Sequence, residues 1–239
     1  MRASPDGYTL LLVTAANAIN ATMLNLRFDF IRDIAPIVGV VRVPLVMEVH
    51  PSIPAKTVAE FIAYAKANPG KVNMASAGIG STPHLAGEMF KTMAGVDLFH
   101  VPYRGAQVFP ALLTGEAHVY FGPLLSSIEY VRAGNFRALA VTTVARSAIL
   151  PDVPALGEIL PGYEASAWFG IGGPRRTPEE IIEKLNKEVN VSIADPKFQA
   201  RLADLGGMAL GGSPADFAKL ISDEVKKWSR VVLAADMKR

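Results

Sequence analysis

The most informative stretch of the sequence is Val72-Asn73-Met74-Ala75-Ser76-Ala77-Gly78-Ile79-Gly80-Ser81-Thr82-Pro83-His84-Leu85. It predicts a strand, then a loop of small residues, then the start of a helix. Gly78 and Gly80 free the backbone and let a ligand come close to it. Ser81 or Thr82 can cap the helix, and Pro83 suits its first position. Amides at such a helix start attract an anion, which suggests a site for a carboxylate or a phosphate. The competing interpretation is purely structural, a capped helix after a glycine turn, as in many α/β units.

The composition is that of a soluble protein with a substantial core. The chain has 239 residues, enough for one large domain or two small ones, and half of them are hydrophobic. A net charge of +2 does not indicate nucleic acid as a partner. There is no cysteine, so disulfides and thiolate metal sites are excluded. The first residues lack the apolar core of a signal peptide, so the chain as given is expected to carry none.

The order of predicted elements indicates an α/β protein. Tyr8–Thr14 predicts a buried strand, followed by a loop of small residues from Ala15. The apolar run Ile34–Val49 contains Pro44, which predicts two strand segments with a joint and a candidate domain crossover there. Beyond it, strands and helices alternate with short links, which predicts a parallel sheet covered on both faces. Predicted helices include 57–67, a helix with Leu85, Met89, Phe90 and Met93 on one face, 107–114, and three C-terminal helices that begin near Thr177, Pro196 and Ser213.

Four loops follow the carboxyl ends of predicted strands, which is the edge where open α/β sheets bind ligands. They contain small residues, backbone amides and one tyrosine, which suits a small polar or anionic solute. The loops are Ala15–Asn17, Ala77–Thr82, Tyr103–Gly105 and Gly122–Pro123.

Signatures of catalysis and of cofactors are missing from the sequence. There is no G-x-S-x-G elbow and no GK[ST] phosphate loop, and the dinucleotide fingerprint lacks its third glycine. The four histidines are scattered, so neither a metal nor a cofactor is expected. His84 can bind a carboxylate or hydrogen-bond nearby backbone, and both interpretations stay open. Ser81 has no adjacent base and is not expected to be a nucleophile.

Five motifs in order resemble one family. They are Pro5-Asp6-Gly7-Tyr8-Thr9-Leu10-Leu11, the stretch Ser76 to Glu88, His100-Val101-Pro102-Tyr103-Arg104-Gly105, Arg137-Ala138-Leu139-Ala140-Val141-Thr142 and Trp168-Phe169-Gly170. Together they resemble the substrate-binding proteins of tripartite tricarboxylate transporters, the Bug or TctC family, over essentially the whole chain.

The resemblance implies a two-lobed α/β fold of the periplasmic-binding-protein type, the type II Venus flytrap. Lobe 1 would comprise 1–43 and 162–239, and lobe 2 would comprise 44–161. Such a receptor closes on a small carboxylate, works in the periplasm, delivers its ligand to membrane permease subunits and is not an enzyme. A monomer is expected, without nucleic acid.

The resemblance also implies which residues bind the ligand. In lobe 1 they would be Thr14, Ala15, Asn17 and Phe169. In lobe 2 they would be Ser76, Ala77, Gly78, Gly80, Ser81, Thr82, His84, Tyr103 and Gly122.

Two departures from the family pattern lead to further expectations. Family members carry a signal peptide and a strand–helix–strand segment before the Pro-Asp-Gly-Tyr motif, so the first lobe is expected to be incomplete. They often have Asp-Asn where this chain has Gly122-Pro123, which makes an amino-acid ligand less expected than a plain carboxylate. Two alternatives stay open at this point, a small α/β enzyme acting on an anionic substrate and a non-functional truncated remnant.

Overall fold

The computed structural model describes residues 3–237, which divide into two compact units. The first unit runs to Arg42 and resumes at Ala167, and the second comprises Val43–Ser166. It stays a prediction that these units are the two lobes of a receptor, with limits at 43 and 162.

Helices and strands of the first unit come from both ends of the chain. They are β1 (Leu11–Thr14), α1 (Ala15–Met23), the first part of β2 (Ile34–Val49), β7 (Ser166–Pro174), α6 (Glu179–Ile193), α7 (Pro196–Asp204), β8 (Met208–Gly211) and α8 (Pro214–Ala234). Strand β1 pairs antiparallel with β7, and β2 lies next to β7 and β8. Sequence patterns did not predict β8, which has only four residues, too few for a clear alternation of apolar and polar side chains.

The second unit contains the predicted alternation of strands and helices. Its elements are the rest of β2, α2 (Val58–Ala67), β3 (Asn73–Ser76), α3 (Thr82–Ala94), β4 (Phe99–Pro102), α4 (Val108–Leu113), β5 (Val119–Pro123), α5 (Leu124–Arg132) and β6 (Arg137–Val141). The strands lie in the order β2, β5, β3, β4, and β6 pairs with β2.

The prediction of a parallel sheet is correct only in part. Strand β3 runs parallel to β4 and to β5, but β2 runs antiparallel to β5, β6 and β8. The alternation of strands and helices within 73–123 predicts the parallel strands there, whereas β2 precedes this alternation and its direction was not predicted.

The predicted break of the strand at Pro44 is wrong, because β2 is one strand of 16 residues, but the two units do divide close to it, between Arg42 and Val43. The pairs of β2 with β8 end at Arg42 and its pairs with β5 begin at Leu45, so Pro44 lies between the two ladders. A proline is tolerated there because no partner in either of these ladders needs its missing amide.

The loop predicted after β1 is also wrong, because α1 begins at Ala15 without any intervening residue. Alanine is the strongest helix former, and three of the first four residues of α1 are alanine. Asn17, in the first turn of this helix, accepts hydrogen bonds at its Oδ1 from the Thr14 amide, at 2.8 Å, and from the Thr14 hydroxyl, at 3.0 Å.

Two of the predicted helix starts form as expected and one does not. Ser213 and Asp216 close a capping box on α8, and Asp195 caps α7 with Pro196 in its first turn. At α6, however, Pro178 occupies the cap position, and the Thr177 hydroxyl donates to the Pro174 carbonyl instead.

Each unit has its own core. In the second, Phe61, Phe90 and Phe121 lie between helices and sheet with ring centroids 5.5–6.0 Å apart. In the first, Trp168 and Trp228 are both fully buried. Met93 was predicted to face the core but is 37% exposed. Within residues 3–237, no helix is both long and apolar enough to span a membrane.

Candidate functional site

The loop of residues 77–81 connects β3 to α3, and its backbone conformation requires both glycines. Gly78 has a φ of +123° and Gly80 a φ of +78°, which side-chain-bearing residues rarely adopt. Ser81 is the N-cap of α3, so Thr82 begins the helix and Pro83 follows within its first turn. The predicted strand–loop–helix sequence is therefore present.

Alternate amides of this loop are bound to the protein itself. The Gly78 amide donates to Ser76 Oγ at 3.2 Å, and the Gly80 amide donates to His84 Nδ1 at 3.2 Å. The Gly78 carbonyl accepts from the Ser81 amide at 3.1 Å and from the Ser81 hydroxyl at 2.6 Å. These bonds fold the loop back onto the start of α3.

The amides of Ala77, Ile79 and Thr82 have no acceptor among residues 3–237. Thr82 is the first residue of a helix of 13 residues, whose dipole favours negative charge at this end. The side chain of Ile79 is 47% exposed, which places this part of the loop at the surface of its unit. The loop and the first residue of α3 therefore have three amides available as hydrogen-bond donors to an anion.

Two stacked histidines support the loop. The rings of His84 and His100 lie 3.8 Å apart at an angle of 17°, and His84 is only 4% exposed. His100 Nε2 lies 2.7 Å from the Ser76 hydroxyl. Burial lowers the pKa of His100 to about 4, and the charge of Lys91 contributes to that shift, so this imidazole is neutral at physiological pH.

Tyr103 was predicted to bind the ligand, which stays a prediction, and its hydroxyl donates to Glu116 at 2.9 Å. Burial raises the pKa of Tyr103 to about 12, and the bond to Glu116 adds to the shift. Its backbone does adjoin the loop, since the Tyr103 amide donates to the Ser76 carbonyl at 2.9 Å. Tyr103 therefore supports the loop with its main chain.

Gly122 was predicted to lie in a turn, and it lies instead inside β5, opposite Val46. A Cβ atom there would lie 2.5 Å from the Tyr120 ring and 2.7 Å from Ser127 Oγ. A side chain at this position would therefore require Tyr120 and Ser127 to move.

The predicted ligand residues of the first unit form a cluster of their own. Thr14 pairs with Phe169 across β1 and β7, and Asn17 holds Thr14 as described above. Ala15 is buried. Their role in binding stays a prediction.

Sequence reasoning assigned no role to His100. The residue lies within the motif His100 to Gly105, and on paired strands it belongs to the same face as Ser76, which was a signal that could have been used. In the described part of the chain, no group of three or more His, Asp or Glu side chains is arranged to hold a metal ion.

The fold is that of periplasmic binding proteins. The structure of R. palustris Rpa4515 with adipate superposes with a TM-score of 0.92 at 35% identity, covering 98% of this chain and 80% of that chain. The periplasmic binding protein BugD gives a TM-score of 0.91 at 30% identity, covering 99% and 81%. MatC from Rhodopseudomonas palustris with bound malate gives 0.87 at 29% identity, covering 96% and 81%.

The chain belongs to the TctC family, the tripartite tricarboxylate transporter family receptors, which it matches over residues 1–237. It is 31% identical to protein BugT of Bordetella pertussis, covering 97% of this chain and 72% of that protein. It is 33% identical to a protein encoded in the tcbD–tcbE intergenic region of a Pseudomonas species, covering 97% and 70%. The resemblance drawn from the motifs is confirmed, and the family consists of receptors rather than enzymes.

Proposed function

We propose that this chain is an extracytoplasmic receptor that binds a small carboxylate at the loop 77–82 and delivers it to the membrane permease subunits of a tripartite transporter. The observation that carries the proposal is the set of three amides, of Ala77, Ile79 and Thr82, that have no acceptor among the described residues. A carboxylate offers about four lone-pair sites, and hydrogen bonds from amides to an ionised acceptor are about twice as strong as neutral ones.

Dicarboxylates are the first ligands to test. Two structural neighbours hold adipate and malate, respectively, and both match this chain over nearly its whole length. A carboxylate at the start of α3 also gains from the helix dipole, which contributes about 0.3–1 kcal/mol at such a position. An amino acid would bring an ammonium group toward the same amides, so we expect it to bind more weakly.

Titration calorimetry with adipate, malate and citrate tests the proposal, and adipamide is the matched neutral control for adipate. We expect at least one carboxylate to bind and adipamide not to bind. A ligand at a hundred times its dissociation constant should stabilise the protein by about 2.7 kcal/mol, which a parallel thermal-denaturation measurement detects. Equal affinity for adipate and adipamide would overturn the carboxylate site.

Delivery to a permease needs a separate test. The receptor gene is deleted in the source bacterium, and uptake of the radiolabelled carboxylate found by calorimetry is measured with and without the gene restored. We expect uptake to depend on the receptor and on the permease genes together. Uptake that continues without the receptor would contradict the delivery role while leaving the binding role intact.

A further inference from the structure

The hydrogen bond from the Gly80 amide determines the protonation of His84. An amide can only donate, so His84 Nδ1, 3.2 Å away, must accept and must carry no proton. The proton of the neutral ring is therefore on Nε2, which lies 3.9 Å from Glu88 Oε1. A second proton on this imidazole would have to be placed on Nδ1, and it would break the bond to Gly80.

His100 holds the other glycine through Ser76. Its Nε2 atom lies 2.7 Å from Ser76 Oγ, and that oxygen accepts from the Gly78 amide at 3.2 Å. Ser76 is fully buried, and its hydroxyl lies closer to His100 Nε2 than to the Gly78 carbonyl, which is 3.2 Å away. The ring of His100 also stacks on His84, which fixes both imidazoles in one orientation.

Along the loop, amides that are bound to the described residues therefore alternate with amides that are not. Those of Gly78 and Gly80 are bound to the Ser76–His100 and His84 side chains, while those of Ala77 and Ile79 between them are left without an acceptor among residues 3–237. Loss of His84 would free the Gly80 amide, and loss of His100 would remove one partner of the Ser76 hydroxyl that accepts from the Gly78 amide.

We propose that His84 and His100 are positioning residues that present the Ala77, Ile79 and Thr82 amides to the ligand, and that protonation of His84 withdraws them and releases the ligand. This inference rests on the proposed carboxylate site. It assigns the histidines an action through the loop rather than a direct contact with the ligand.

Charged and titratable groups near His84 lie on its own helix and on elements packed against it. On its own helix, Glu88 lies 3.9 Å away, and Lys91 is 3.0 Å from the same Glu88 oxygen and shares its charge. On β4 the neighbour is His100, and on β5 Tyr120 belongs to an aromatic cluster on the opposite face of the sheet. Tyr163 packs on α3 by donating its hydroxyl to the Ala86 carbonyl, and burial raises its pKa well above the ordinary range, so it stays neutral.

Two substitutions at His84 separate positioning from contact. Asparagine places an oxygen acceptor where Nδ1 lies and does not titrate, whereas leucine removes the acceptor. At neutral pH we expect His84→Leu to weaken adipate binding at least tenfold and His84→Asn to restore most of that loss. Between about pH 7.5 and pH 5, we expect wild-type affinity to fall at least fivefold more than that of His84→Asn, because the ligand's own titration is common to both. Equal loss in both variants, or parallel pH profiles, would overturn the inference.

A measurement without ligand tests the inference independently of the proposed function. Nitrogen chemical shifts of the imidazoles report which ring nitrogen carries the proton, and hydrogen exchange reports protection of the Gly80 amide. We expect the Nε2–H form of His84 and a protected Gly80 amide in the wild type, protection retained in His84→Asn and lost in His84→Leu. An Nδ1–H form, or an unprotected Gly80 amide in the wild type, would refute the positioning role even if adipate binds. Failure of the wild type to bind any carboxylate would instead refute the proposed function.

Discussion

Glu48 gives the sharpest test of the energetics of the second unit. It lies on β2 opposite Tyr120 and is fully buried, and its Oε1 accepts a hydrogen bond of 2.8 Å from Ser127. Its Oε2 has no partner among the described residues. Burial raises the pKa of this carboxyl group from 4.5 to about 8, although the bond from Ser127 opposes the shift.

The sign of the pH dependence follows from that shift. Between 4.5 and about 8 the folded chain keeps the proton of Glu48 while the unfolded chain releases it. Stability from this group is therefore fully present below the unfolded pKa and is lost as pH rises through the folded pKa. At about 1.4 kcal/mol per pH unit, the loss between pH 5 and pH 8 is roughly 3–4 kcal/mol.

The perturbation is Glu48→Gln, which keeps the shape and the acceptor for Ser127 but does not titrate. We expect the difference in unfolding free energy, variant minus wild type, to rise by roughly 3–4 kcal/mol from about pH 5 to pH 8. Any pH-independent cost of the buried glutamine amide is the same at both pH values, so it does not affect the change in this difference. The titration of His100 occurs in both proteins and cancels as well. Urea unfolding should be followed by far-ultraviolet circular dichroism. Tryptophan fluorescence would report on the first unit, which contains both tryptophans, whereas Glu48 lies in the second.

Glu60→Gln is the matched control, since Glu60 is an exposed carboxylate of the same unit that accepts from the Lys56 amide. Its difference from the wild type should stay nearly constant over the same pH range. Parallel stability curves for Glu48→Gln and the wild type would show that Glu48 is ionised in the folded protein, and they would refute the reasoning from burial.

Three further predictions concern the loop and the first unit. Ser81→Ala and Thr57→Ala each remove a helix cap, on α3 and α2 respectively, and each should cost about 1 kcal/mol of stability. Only Ser81→Ala should weaken adipate binding. Equal adipate affinities of the two variants in calorimetry would contradict this. Gly78→Ala should reduce affinity because its φ is +123°, whereas Gly95→Ala, at the end of α3, should lower the melting temperature alone. Glu224 Oε2 accepts hydrogen bonds from the indoles of Trp168 and Trp228, at 3.0 and 2.9 Å. Glu224→Leu leaves both buried donors without this acceptor and should lower the unfolding free energy by roughly 2–5 kcal/mol, whereas Glu224→Gln should lower it clearly less. Unfolding followed by tryptophan fluorescence measures both.

Local sequence patterns predicted the strand, loop and helix around Gly78 because the relevant forces act between neighbours. Glycine dihedrals, the Ser81 cap and the apolar face of α3 are all encoded within about 20 residues. The same logic predicted the helices that start at Pro196 and Pro214. The motif resemblance added the family, which composition and periodicity alone did not define.

Other features depend on side-chain contacts that local sequence patterns do not encode. The stack of His84 on His100 joins two residues 16 positions apart, on α3 and β4. The Tyr103 hydroxyl bonds to Glu116, a partner outside its own motif. The packing that restricts a side chain at Gly122 comes from a ring two residues earlier and from Ser127 on the next helix. None of these contacts has a periodic signal, so the structure was needed to find them.

The discontinuity of the first unit has a consequence for synthesis on the ribosome. Strand β1 pairs with β7 in a register that joins Leu11 to Gly172, so β1 has no strand partner until much of the chain has been made. The contiguous second unit, Val43–Ser166, is complete before that point. At about 5–20 residues per second, the delay for β1 is on the order of 10–30 s. Unpaired strand edges invite aggregation, and the N-terminal segment is thus the part of the chain that a holding chaperone would protect during translation.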